Sequence, residues 1–252
     1  MKESFAQRPE FKERLQPDKL SVIVIGDACS GKTTLLDYLR LQGFSVRPEP
    51  ENKMFNLFLK DQKHYAYHNQ LYKTTQLMEQ ELQGAASERE TDPYFNESGV
   101  LATDIYNRYL RDQDLMTADQ FEHLNGVYTH YLDTMPKPGL VVYLYADDAT
   151  IRDRAIKRDG RIAHDPEMLT SYWDRLLADL EHRGIPVMRV NTGAQTVDET
   201  STQVIAEAER LKRERSVTTP VVAPLPVRPE PVTDDPEIKS MTLSFFEVSV
   251  EQ

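Results

Sequence analysis

Gly26-Asp27-Ala28-Cys29-Ser30-Gly31-Lys32-Thr33 is a full G-x-x-x-x-G-K-[ST] match. Two glycines let a backbone wrap closely around an anion, so that successive N–H groups and a following helix N-terminus point at phosphate oxygens. Lys32 is then placed to bridge the β- and γ-phosphates, and the Thr33 hydroxyl to ligate Mg²⁺. Thr34 continues the phosphate-binding run. Cys29, the sole cysteine, lies within the loop and reads as an oxidation-sensitive thiol rather than a nucleophile. A second carboxylate-bearing element follows. In Pro48-Glu49-Pro50 two prolines exclude helix and sheet ladder and hold Glu49 in an extended turn. A carboxylate fixed there, beside a phosphate site, could take the proton from an acceptor hydroxyl during in-line phosphoryl transfer. Standing alone, such an acid is often only a surface turn residue.

These groups need elements to position them. Leu20 to Ile25 (LSVIVI) is a short β-branched run ending at Gly26, as a buried parallel strand would be. Apolar residues at 35, 36, 38, 39 and 41 then follow a helical spacing, and Gly43 supplies a stop. Strands are expected at 44–47, 84–89, 139–145 and 186–190, and helices at 53–82, 97–112, 117–134, 148–158, 166–182 and 197–214. The aromatics of 53–82, Phe55, Phe58, Tyr65, Tyr67 and Tyr72, read as core packing. Strands alternating with helices imply an α/β fold of three layers, α/β/α, around a five-stranded parallel sheet. Residues 1–19 form a polar extension and 20–215 the folded domain. The 216–252 region opens with six of the fifteen prolines, a linker-like composition, and ends in a β-like segment, Ile238 to Val250. That segment could pair with a neighbouring subunit or lie on its own domain.

Composition narrows the function classes. The 252 residues carry 30 basic and 41 acidic side chains, a net charge of −11, which disfavours general binding to nucleic acid. There is no apolar run of the ~20 residues a spanning helix needs and no secretory h-region, so no membrane association and a cytoplasmic location are expected. A single cysteine agrees with a reducing compartment. No N-K-x-D guanine motif is present.

Four blocks together resemble the deoxynucleoside kinase family in its bacterial deoxyadenosine/deoxyguanosine kinase form: residues 26–33, Pro48-Glu49-Pro50, Asp61–Gln70 (DQKHYAYHNQ) and Glu88-Arg89. A looser fifth is the arginine-rich stretch Arg154 to Arg161 with Ser171-Tyr172-Trp173 after it. The resemblance spans 20 to about 213. It implies Glu49 as general base on a nucleoside 5′-hydroxyl, Arg89 on the same oxygen and the moving phosphoryl group, and Glu88 near Mg²⁺. It further implies Gln70 on the edge of the base, Phe58 and Tyr67 around the nucleoside, and Arg154, Arg158 and Arg161 as lid arginines on ATP. A lid near 158–164 that closes over ATP, and a dimer formed through helices between 53 and 134, are also implied. The chain departs from the pattern at Glu90, Leu59 and Asp159, and Asp165 and Glu167 both fit the acid that follows the arginines. Three readings follow: a nucleoside kinase using Mg-ATP, a kinase of the same fold acting on a nucleoside monophosphate or modified nucleoside, and a nucleotide-binding assembly subunit.

Overall fold

A computed structural model describes residues 19–87, 89–160 and 166–218. Met1–Ser216 forms one compact unit; of the second, Val217–Gln252, only the end of a helix is described. The extension before Lys19, the proline-rich stretch and Ile238–Val250 therefore lie outside the described residues.

Five short strands, β1 (Ser21–Gly26), β2 (Val46–Arg47), β3 (Tyr94–Glu97), β4 (Leu140–Tyr145) and β5 (Val187–Asn191), pair in the order β2-β3-β1-β4-β5. Every pairing is parallel, with Val24 opposite Glu97 on one side of β1 and Val142 on the other. The run SVIVIG is buried along almost its whole length, as a strand covered on both faces must be. Helices α1 (Lys32–Leu41), α2 (Phe55–Lys60), α3 (Gln62–Ala86), α4 (Thr103–Asp112), α5 (Ala118–Thr134), α6 (Asp148–Asp159), α7 (Pro166–His182) and α8 (Val197–Thr218) complete the chain order.

Alternation along β1 and β4 divides the core. Val22, Val24, Leu140 and Val142 pack with Leu35, Leu36 and Leu39 of α1 and Val204 and Ala208 of α8. Ile23, Ile25 and Val141 face the opposite way onto α3, α4, α5 and α7, where Leu77, Ile105, Tyr128 and Trp173 are buried. This is the expected three-layer α/β/α sandwich. Trp173 is a core residue, its ring 5.2 Å from that of Tyr143.

The strand expected at 84–89 is absent. Helix α3 runs on through Ala86, and the strand lies later, at Tyr94–Glu97. Small residues explain the difference. A Cβ at Gly84 would sit 2.9 Å from Cε2 of Tyr94, so Gly84-Ala85-Ala86 is a helix surface trimmed for close approach to β3. The helix expected from residue 97 accordingly begins later, with a 3-10 turn at Val100–Ala102 leading into α4.

In a parallel sheet all strand C-terminal ends share one edge, and a crevice opens where successive connections leave in opposite directions. Here that point is the end of β1, flanked by β3 and β4. The phosphate loop, the Glu49 turn and the residues after β3 all emerge there.

Candidate active site

The loop from Gly26 to Gly31 is shaped by backbone that side chains would obstruct. Gly26 has φ 147°, and a Cβ there would lie 2.2 Å from the Leu144 carbonyl oxygen of β4. Cys29 (φ 63°) and Gly31 (φ 99°) carry the chain through left-handed geometry into α1. The Asp27 carboxylate accepts from Ala28 N–H at 2.8 Å, and Lys32 Nζ donates to the carbonyls of Gly26 (3.0 Å) and Asp27 (2.9 Å). Arg154 latches the far side, donating to the Cys29 carbonyl at 3.2 Å and to Thr192 Oγ1 and O at 2.9 and 2.8 Å. Thr192 in turn donates to the Ser30 carbonyl at 2.8 Å. The loop is thus held from α6 and from the end of β5.

Next to it stand two carboxylates. Thr33 Oγ1 donates to Glu97 Oε1 at 2.8 Å, and the backbone N–H of Glu49 donates to Glu97 Oε2 at 3.3 Å. The Glu49 carboxylate is ion-paired with Lys73 of α3 at 2.7 Å. Ser98 also donates to it. Burial pushes the Glu49 carboxyl up, but the Lys73 ammonium, with Ser98 and Lys32, outweighs this and holds it below the ordinary glutamate range. Burial pulls the Lys32 ammonium down against the opposing pull of Glu49 and Glu97. Asn52 ties the Glu49 turn to α3 by donating to Asn69 Oδ1 at 2.9 Å. These groups line one cleft of about 890 Å³ that also takes in Thr34, Tyr106, Arg154 and Arg158. It combines a cationic, amide-lined anion site at the loop with a carboxylate, Glu49, on the facing side.

The structure brings together the 26–34 run, Glu49, Arg154 and Arg158. It does not bring Arg89 there. Arg89 is exposed and precedes β3, at the N-terminal edge of the sheet, whereas the phosphate loop leaves the C-terminal edge of β1. Four residues of strand separate those edges by roughly 13 Å, so the assignment of Arg89 to the reacting oxygen is corrected. Glu88 and Arg161 lie outside the described residues. The carboxylate on Thr33 is Glu97. Gln70 is one turn from Lys73 on the buried face of α3, with Oε1 lacking a hydrogen-bond partner among the described residues. Phe58 and Tyr67 each pack on the cluster that holds Ala66 and Leu110, and the Tyr67 hydroxyl hydrogen-bonds with His123 Nδ1 at 2.9 Å. Neither aromatic lines the cleft.

Glu97 and Lys73 were not legible in advance. A faint signal existed in Tyr94-Phe95-Asn96-Glu97-Ser98-Gly99, a short apolar-led run ending in an acid and a glycine, as active-site strands do. Lys73 stands among polar helix residues with nothing to mark it.

No curated protein matches the chain. Among solved structures, deoxyadenosine kinase from M. mycoides with bound dATP is similar in fold, at TM-score 0.64 and 18% identity over 75% of this chain and 100% of that one. The same enzyme with bound dCTP gives 0.62 and 17% over 76% and 100%. With the products dCMP and a flexible dCDP it gives 0.61 and 18% over 76% and 100%. No helix among the described residues is long and apolar enough to cross a membrane. A family model of deoxynucleoside kinases matches residues 22–222, across the whole sheet and every site element described above, so the chain belongs to the deoxynucleoside kinase family and is a nucleoside kinase.

Proposed function

We propose that the enzyme transfers the γ-phosphoryl group of ATP to the 5′-hydroxyl of a deoxynucleoside, with Glu49 as general base. The observation that carries this reading is the placement of an ionised Glu49 in the same cleft as Lys32 and Thr33, tethered through its backbone to Glu97. A base must be unprotonated at working pH and near the acceptor oxygen; the Lys73 pair supports the first condition and the rigid Pro48-Glu49-Pro50 turn the second.

The loop amides and Lys32 bind the triphosphate, and Arg154 and Arg158 on one face of α6 orient its outer oxygens. Thr33 and Glu97 offer a hydroxyl and a carboxylate, hard oxygen donors that fit Mg²⁺ held largely by phosphates. When bound, Mg²⁺ offsets charge on the phosphate oxygens. Glu97 takes the place first assigned to Glu88.

A nucleoside monophosphate as acceptor would need cations on the acceptor side. Arg47 is committed to Glu90 at 2.7 Å and Lys53 is exposed. Lys73 is paired with Glu49 for as long as that carboxylate is ionised, which leaves it closed to a phosphate that an acceptor brings before transfer, so the nucleoside reading is preferred. The test is Glu49→Gln: turnover is expected to fall about 10²- to 10⁴-fold with ATP affinity unchanged. Near wild-type phosphorylation by this variant would remove Glu49 as the base.

A further inference from the structure

Most cations lining the cleft come from the phosphate loop and α6: Lys32, Arg154, Lys157 and Arg158. Lys73 comes from α3, on the side of Glu49. Its ammonium lies 2.7 Å from Glu49 Oε1 and 5.2 Å from the centre of the Tyr106 ring. The side chain is 19% exposed, so both contacts are made largely out of water. Lys73 also acts as a like charge on Lys32 across Glu49, which places the two ammonium groups in one electrostatic field. An ammonium has three donors and no fixed plane, and among the described residues Glu49 is the anionic partner it meets.

We propose that Lys73 is a phosphoryl-binding residue of the acceptor side, holding the Glu49 carboxylate before transfer and the acceptor's new 5′-phosphate after it. The inference rests on the nucleoside-kinase reading above. In the step, the acceptor oxygen forms a bond to the γ-phosphorus and its proton passes to Glu49. The bond from that phosphorus to the β–γ bridging oxygen breaks, and its electron pair stays on ADP. The negative charge beside Lys73 thereby leaves the carboxylate and reappears on the phosphate monoester next to it. Lys73 changes partner and remains an ammonium throughout. The Tyr106 ring keeps Nζ over the same spot in both states. A contact that gains its anion only as the phosphoryl group reaches the acceptor favours the transition state over the bound substrates. It fills the position left by Arg89, from a helix rather than from the sheet.

The distinguishing property is a split between product and substrate affinity. Equilibrium binding of the four common deoxynucleosides and their 5′-monophosphates is measured on the full chain, as wild type, Lys73→Gln, Lys73→Arg and Glu49→Gln. Lys73→Gln is expected to weaken the preferred 5′-monophosphate about tenfold or more, the size of one charge-assisted hydrogen bond, and the matching nucleoside by less than about threefold. Lys73→Arg restores most of the loss, and Glu49→Gln, which frees the ammonium, tightens the monophosphate. Equal loss on nucleoside and monophosphate, or no loss on the monophosphate, overturns the proposal. So does Lys73-dependent conversion of monophosphates to diphosphates, which would assign Lys73 to a phosphate the acceptor brings with it. Absence of nucleoside turnover in wild type would overturn the kinase reading instead, while the binding split would still report on Lys73.

Discussion

The Thr33 hydroxyl donates to Glu97 Oε1 at 2.8 Å, joining the first turn of α1 to the C-terminal end of β3. Through this bond the phosphate loop and the Glu49 turn share one carboxylate, since Glu97 Oε2 also accepts from Glu49 N–H. Glu97→Gln keeps an acceptor for Thr33 and removes the charge. Turnover should fall about 10²-fold or more, whereas Arg89→Ala at the opposite edge of the sheet should stay within about twofold of wild type. Steady-state kinetics on both variants checks this. The reverse pattern would return the second carboxylate and its arginine to 88–89.

A second acid is buried for a structural purpose. Glu81 of α3 accepts from Val100 N–H at 2.7 Å and from the Tyr131 hydroxyl, and burial pushes its carboxyl up to about 7. The folded protein therefore keeps this proton where the unfolded chain, near the ordinary 4.5, has released it. The contribution is fully present below about pH 4.5 and is lost as pH rises through about 7, a change on the order of 3 kcal/mol. Glu81→Gln can still accept from Val100 and donate to the Tyr131 oxygen, with no proton to lose. Urea midpoints at about pH 5 and about pH 8.5 should show the variant gaining on wild type at the higher pH. An unchanged difference between the two proteins would mean that Glu81 titrates normally.

Gly84 is the third case. Its missing side chain admits the Tyr94 ring, so Gly84→Val forces α3 away from β3 and should destabilise by about 2 kcal/mol or more. Thermal unfolding measures it. An unshifted Tm would contradict the close approach.

What could be read from the chain alone was local. Leu20 to Thr33 contains its own strand, loop and helix start, so the loop's role follows from neighbouring residues, and the Glu49 turn is fixed by its own prolines. What could not be read depended on partners far away. Ala85 and Ala86 favour helix while Gly84 disfavours it, and the reason a glycine stands there, the Tyr94 ring against it, lies ten residues on. With the strand at Tyr94–Glu97, the carboxylate that meets Thr33 in the cleft is Glu97. Lys73 became a site residue only when α3 crossed the end of Pro48-Glu49-Pro50. Three-residue and eight-residue motifs carry backbone conformation, whereas a single lysine in a helix carries no sign of which carboxylate it will meet.

Phosphoryl transfer to a nucleoside 5′-hydroxyl is read out by the mass of the product formed from Mg-ATP and a panel of deoxynucleosides, ribonucleosides and their monophosphates. Product mass, unlike ADP release, separates transfer from hydrolysis. The expected result is a 5′-monophosphate from one or a few deoxynucleosides in wild type and its loss in Glu49→Gln. Diphosphates formed only from monophosphates, or equal product from both proteins, would contradict it.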